Sequence, residues 1–353
     1  MLAMTKITLP ENLTPHMKNH ITGLHHLTAI ATDAQANIDF YAGLLGLRLV
    51  KKTVNFDDPS AYHLYYGDEA GTPGSIITFF SWPGAPRGRV GSGQTTAITL
   101  SAPATSLEYW QERLQRHEVT AERNTRFGED VLTFADPDGI PVEIVAVADD
   151  NRLGWTGAGI SAEHAIRGMH TAELTVGDAG PTSELLTGLM GYTLGRREGQ
   201  RARFQSAPGG SGRYVDVIGG STAMRGNGGA GTIHHIAFRV ADDAAELEMQ
   251  ERLMSGGYHV SDVRNRDYFR SIYYRERGGI LFEIATSIPG FAVDEPAESL
   301  GTALKLPRQF EYARKEIESL LPPLRGARQF ANLQSRRIKA LPGRDQTPIT
   351  RGT

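Results

Sequence analysis

Residues 246–285 read ELEMQERLMSGGYHVSDVRNRDYFRSIYYRERGGILFEIA, and residues 108–145 read EYWQERLQRHEVTAERNTRFGEDVLTFADPDGIPVEIV. Both stretches pass through a helical QERL, a short strand, an Arg-Asn pair and an alternating strand. Both then turn at glycine, Gly139 in one and Gly278-Gly279 in the other. Both finish in an apolar strand centred on a glutamate, which makes Glu143 and Glu283 equivalent positions. Internal repetition of this kind means that the chain is built from copies of one supersecondary unit.

A weaker pair joins FYAGLLGLRLVKK (40–52) to LLTGLMGYTLGRR (185–197), each the end of a helix, a glycine and a departing strand. Four segments alternate apolar and polar residues as half-buried strands do: GLHHLTAI (23–30), TTAITLS (95–101), GMHTAELTV (169–177) and IHHIAFRV (233–240). Helical stretches follow at 33–45, 105–117, 181–190 and 242–256. Each unit closes on a last strand: IITFF (76–80), PVEIV (141–145), RYVDVI (213–218) and LFEIA (281–285). The markers His26, Ala97, His170 and His235 recur at spacings of 71, 73 and 65 residues, so the expected fold is α+β with four tandem βαβββ modules.

Chain order groups modules one and two in residues 20–150 and modules three and four in 165–290, leaving a C-terminal helix and basic tail in 291–353. Linkers fall at 84–93 and 149–165. The glycine-rich stretch 219–231 is expected to be a flexible loop, residues 305–324 an amphipathic helix, and residues from Arg325 onward a solvated basic tail. Met4 offers an alternative start.

Composition narrows the chemistry. The net charge of −3 gives no field to attract nucleic acid or an anionic membrane. No apolar run reaches membrane-spanning or signal-peptide length, which predicts a cytoplasmic protein. There is no cysteine, so disulfides, thiolate metal sites and a thiol nucleophile are excluded, and any metal must rest on His, Asp or Glu.

Candidate ligands stand at repeat-equivalent places: His25-His26, His170 and His234-His235 on first strands, and Glu143, Asp216 and Glu283 on last strands. A lone histidine in a strand has an ordinary structural explanation. A carboxylate among Leu281, Phe282 and Ile284 is costly unless paired or metal-bound. Because strand side chains alternate, one member of each His-His pair is expected to face the site. Two histidines and one carboxylate leave open positions on a six-coordinate ion, the arrangement of non-haem Fe(II) oxygenases. On the residues alone, His26 or His170 could complete a set with His235 and Glu283.

The segments LHHLTAI, YHLYYGDEAGTPGSIITFF, SAEHAIRGMH, IHHIAF and RNRDYFRSIYYRERGGILFEIAT resemble the vicinal oxygen chelate superfamily of glyoxalases and extradiol dioxygenases. Within it they are most similar to the branch that cleaves hydroquinone rings, over nearly all of residues 20–324. The resemblance implies modules paired into two open-barrel sheets, and Fe(II), or Mn(II), held by His26, His235 and Glu283. It further implies catalytic or neighbouring roles for His25, His234, Arg266 and Tyr273, and substrate contact by Thr28. A small aromatic substrate, O₂ and a homo-oligomeric assembly belong to the same expectation. Two other functions fit the fold: a glyoxalase-like metal-dependent lyase or isomerase, and a metal-free protein that binds small aromatics.

Overall fold

The computed structural model describes residues 20–220, 222 and 224–328. Met4 and the greater part of the basic tail lie outside the described residues. Among the described residues, sixteen strands fall into four modules. Module one holds β1 (Leu24–Ala31), α1 (Ala34–Ile38), β2 (Arg48–Val54), β3 (Tyr62–Gly67) and β4 (Ile76–Ser81). Module two holds β5 (Gln94–Pro103), α2 (Leu107–Arg116), β6 (Glu122–Arg126), β7 (Glu129–Ala135) and β8 (Pro141–Val147). Module three holds β9 (Gly168–Thr175), α3 (Ala179–Glu184), β10 (Thr193–Glu198), β11 (Arg201–Gln205) and β12 (Tyr214–Ile218). Module four holds β13 (Thr232–Val240), α4 (Asp243–Ser255), β14 (Arg264–Asn265), β15 (Arg270–Arg275) and β16 (Leu281–Thr286).

Local chemistry starts and stops the helices. Asp33 and Asp242 accept backbone N–H bonds at the N-termini of α1 and α4, satisfying donors that a helix cannot. The weaker repeat pair has a structural meaning: α1 and α3 each run on into a π-helical turn, Asp39–Leu44 and Leu185–Leu189. Each turn is followed by a glycine at positive φ, Gly46 and Gly191. The helix expected over 305–324 is shorter than its pattern. It is a 3₁₀ stretch, Arg308–Ala313, followed by α5 (Arg314–Leu320). Pro307 precedes the 3₁₀ stretch, and Pro322 and Pro323 follow α5, where proline cannot continue a helix.

The strands form two eight-stranded sheets, β14-β15-β16-β13-β1-β4-β3-β2 and β10-β11-β12-β9-β5-β8-β7-β6, each curled into a half-barrel. At the centre of each, two first strands run antiparallel, and each is flanked in parallel by its own last strand. Modules one and four share one sheet; modules two and three share the other. Grouping by chain order, 20–150 and 165–290, therefore cuts across both sheets. One apolar cluster joins them, including Leu27 and Phe238 of the first sheet, Leu100 and Leu174 of the second, and Trp110, Leu186 and Met249 from the helical segments.

Within the glycine-rich stretch, residues 224–231 are held rather than loose. It pairs with the first linker through bridges Arg87–Ala230, Arg89–Asn227 and Ser92–Arg225. Glycine permits the approach: a Cβ at Gly91 would lie 2.3 Å from the Met224 carbonyl oxygen. This pairing of two linkers accompanies the exchange of partners that puts module one beside module four.

Candidate metal centre

Register on β1, β13 and β16 brings three buried donors together. Thr28 stands opposite His235, and Glu283 pairs with Ala237, two residues beyond His235. The ligating atoms of His26, His235 and Glu283 all lie within 4.8 Å of one another. Glu283 Oε2 is 2.9 Å from His235 Nε2 and 3.3 Å from His26 Nε2. Despite this closeness, neither carboxylate oxygen of the fully buried Glu283 accepts a well-aimed hydrogen bond among the described residues. The two Nε2 atoms face each other at 3.3 Å. Three electron-pair donors converging on one point, with the anion unsatisfied, suit a cation between them.

One histidine of each pair, His26 and His235, joins the donor cluster, as expected, but alternation alone does not place the other. Each central strand carries a β-bulge, with His25 as the extra residue on β1 and His234 on β13. A bulge re-aims its side chain, so each extra histidine lies against its neighbour instead of on the opposite face. His25 Nδ1 lies 2.9 Å from His26 Nδ1, and His234 Nδ1 lies 2.7 Å from His235 Nδ1.

Proton bookkeeping then orients the first pair. His25 Nε2 is 3.0 Å from the Thr286 carbonyl, which can only accept, so Nε2 of His25 bears the proton. Burial, and next the neighbouring His26, lower the His25 pKa to about 3 and keep the ring neutral. Its Nδ1 therefore accepts from Nδ1–H of His26, and the Nε2 lone pair of His26 is left facing Glu283.

A cavity of about 330 Å³ opens beside these groups, lined in part by Thr28, Phe80, Trp82, Phe269, Arg266 and Tyr273. Its size and aromatic walls suit a small planar ligand. The Tyr273 hydroxyl accepts from Arg266 Nε at 3.3 Å and Ser271 Oγ at 3.1 Å, so its own proton is available to the cavity. Arg266 also reaches Asp57 at 3.4 Å and lies over the Phe56 ring, tying β14–β15 to the loop after β2.

His170 stands elsewhere. It is on β9 in the other sheet, 2.8 Å from Ser211 Oγ and 3.3 Å from Glu129 Oε2. It is the bulged residue there, while Thr171 faces Thr99 as His235 faces Thr28. His170 is thus the counterpart of His234, and the marker set His26, Ala97, His170, His235 is one residue out at that point. Glu143 accepts from Arg126 and Thr99, and Asp216 from Arg203. Besides the cavity aromatics Phe80, Trp82 and Phe269, the residues that sequence reasoning left without a role include His63, Tyr65 and Thr78. The last three lie inside YHLYYGDEAGTPGSIITFF, where a histidine on a wholly buried strand was the available signal.

The fold and the centre define the chain as a member of the glyoxalase/bleomycin resistance protein/dioxygenase superfamily, whose family model matches residues 23–144. The chain is 45% identical over 311 residues to the provisionally named ring-cleaving dioxygenase MhqO of Bacillus subtilis, covering 87% of this chain and 98% of that protein. It is 34% identical to a chlorohydroquinone/hydroquinone 1,2-dioxygenase of Sphingobium indicum, covering 85% and 96% of the two chains. A crystal structure of a provisionally named Bacillus subtilis dioxygenase superposes with a TM-score of 0.85 at 44% identity, covering 89% of this chain and all of that one. No helix among the described residues is long and apolar enough to cross a membrane.

Proposed function

We propose that this protein is a dioxygenase that opens the ring of a hydroquinone- or catechol-type aromatic in an extradiol-type reaction, using Fe(II), or Mn(II), held by His26, His235 and Glu283. The observation that carries the reading is the buried, unsatisfied Glu283 carboxylate facing two imidazole Nε2 atoms at the wall of an aromatic-lined cavity. The names of the relatives point the same way. When bound, a divalent ion favours phenolate over phenol and lets ring and O₂ meet in one place.

The chain's own residues do the remaining work. Phe80, Trp82 and Phe269 exclude water and stack the ring. Tyr273 donates its free O–H to a ligand oxygen, and the Arg266 guanidinium behind it stabilises negative charge developing there. With Nδ1 of His235 donating to His234, the His234 Nε2–H is a second donor at the cavity wall. Both atoms of O₂ enter the product and the carbon–carbon bond beside the oxygenated carbon breaks, so no further reductant is needed.

Oxygen-electrode assays on Fe(II)-reconstituted protein with a panel of hydroquinones and catechols test this. Uptake with one ring class, abolished in His26→Ala, is the expected result. Stoichiometric metal with no uptake on any ring contradicts it and favours a lyase or a binding protein.

A further inference from the structure

Along one wall of the cavity runs a buried chain of four side chains that the metal centre does not use; Thr28, His63 and Tyr65 line the cavity and Thr78 lies between them. Thr28 Oγ1 lies 2.9 Å from Thr78 Oγ1, Thr78 Oγ1 lies 2.8 Å from His63 Nε2, and His63 Nδ1 lies 3.0 Å from Tyr65 Oη. All four residues are buried, with Thr78 fully so. Burial comes first among the causes that raise the Tyr65 phenol and lower the His63 imidazole, so both rings are neutral.

The direction of the chain follows from the Tyr65 end. A neutral phenol has one proton to place, and among the described residues the Tyr65 hydroxyl meets one hydrogen-bond partner, His63 Nδ1. Tyr65 therefore donates to Nδ1, and the His63 proton sits on Nε2 and goes to Thr78. The Thr78 hydroxyl, accepting from His63, donates to Thr28. The Thr28 proton then has no acceptor among the described residues, and Thr28 lines the cavity. Thr78 is the residue that register makes equivalent to Glu283, since it pairs with Thr28, two beyond His26, as Glu283 pairs with Ala237, two beyond His235. Module one thus replaces the carboxylate by a hydroxyl and backs it with an imidazole.

We propose that His63 is a positioning residue which, acting through Thr78 and anchored by Tyr65, fixes the Thr28 hydroxyl as a hydrogen-bond donor into the cavity, so that the site selects a ligand with an oxygen acceptor at that point. This rests on the reading of the cavity as the aromatic-ligand site. The acceptor is a phenolic oxygen, and the contact strengthens as that oxygen gains negative charge.

Two measurements test it. In ¹⁵N-histidine NMR of the metal-free protein, with the resonance assigned by its loss in His63→Gln, His63 is expected as the Nε2–H tautomer; the Nδ1–H tautomer overturns the inference. In anaerobic calorimetry of the Fe(II)-loaded protein with hydroquinone, Thr28→Val and His63→Leu are each expected to weaken binding about tenfold. The double variant should be no weaker than Thr28→Val alone. His63→Gln, whose amide can accept from Tyr65 and donate to Thr78, should bind within about twofold of the parent. Multiplying effects in the double variant, about a hundredfold, show that His63 acts independently of Thr28 and overturn the proposal. If hydroquinone fails to bind even the parent, the proposed function falls instead, and the tautomer alone decides this inference.

Discussion

The two sheets share one topology and use equivalent positions for opposite purposes. In the first, His26, His235 and Glu283 converge with the carboxylate unsatisfied. In the second, the matching positions are Ala97, Thr171 and Asp216, and neighbouring positions add Glu143 and Glu173. Three arginines fill that space. Arg126 lies 2.6 Å from Glu143, Arg201 2.7 Å from Glu173, and Arg203 2.7 Å from Asp216 and 2.6 Å from Glu129. Phe127 stacks over Arg203. Guanidinium groups neutralise these carboxylates in place, so the second half-barrel is an ion-pair core. The first keeps its carboxylate for something that the described residues do not supply. One module therefore supports either a site or a scaffold, depending on whether the inward cation is part of the chain.

The largest effect is expected from His235→Ala. It is expected to lose the bound metal and lower ring-dependent oxygen uptake by more than about a hundredfold, beyond the usual effect of altering a ligand's supporting shell. Metal analysis and the oxygen electrode read it. Next in size, Arg203→Met leaves buried Asp216 without its main partner and should cost about 3–5 kcal/mol of stability by denaturant titration, with metal content unchanged. Metal loss in that variant would mean the two half-barrels are not separable.

A smaller effect is expected from His25→Phe, which removes the acceptor that orients His26. Metal affinity should fall about 10–100-fold by competition with a chelator. The smallest concerns Glu246 in the first turn of α4, a buried carboxyl whose pKa is raised to about 7 by burial, partly offset by Arg270. A raised carboxyl pKa means the fold favours the protonated form. The contribution is complete below the ordinary value near 4.5 and is lost as pH rises through about 7. Glu246→Gln should therefore be about 2 kcal/mol more stable than the parent at pH 8 and nearly equal at pH 4.5, by thermal denaturation at each pH.

Much of this was legible in the sequence because repetition carries register. Glu143 and Glu283 read as equivalent, and they are, each pairing two residues beyond its marker. The His-His pairs marked module one and module four as alike, and the structure joins those modules in one sheet. What stayed hidden was whatever depends on single-residue offsets or on distant partners. The bulges that turn His25 and His234 against their neighbours have no composition signal, and the matching bulge on β9 displaced His170 by one place. Arg126, Arg201 and Arg203 lie on strands that look ordinarily amphipathic, so their inward turn required the sheet. His63 needed Thr78, fifteen residues away, to gain a meaning.

The most direct test of the central claim is metal content, by elemental analysis of Fe(II)-reconstituted protein, in the parent, Glu283→Gln and Glu143→Gln. One ion per chain in the parent and in Glu143→Gln, with none in Glu283→Gln, is the predicted result. Metal retained in Glu283→Gln, or lost from Glu143→Gln in folded protein, would contradict the division of labour between the two half-barrels.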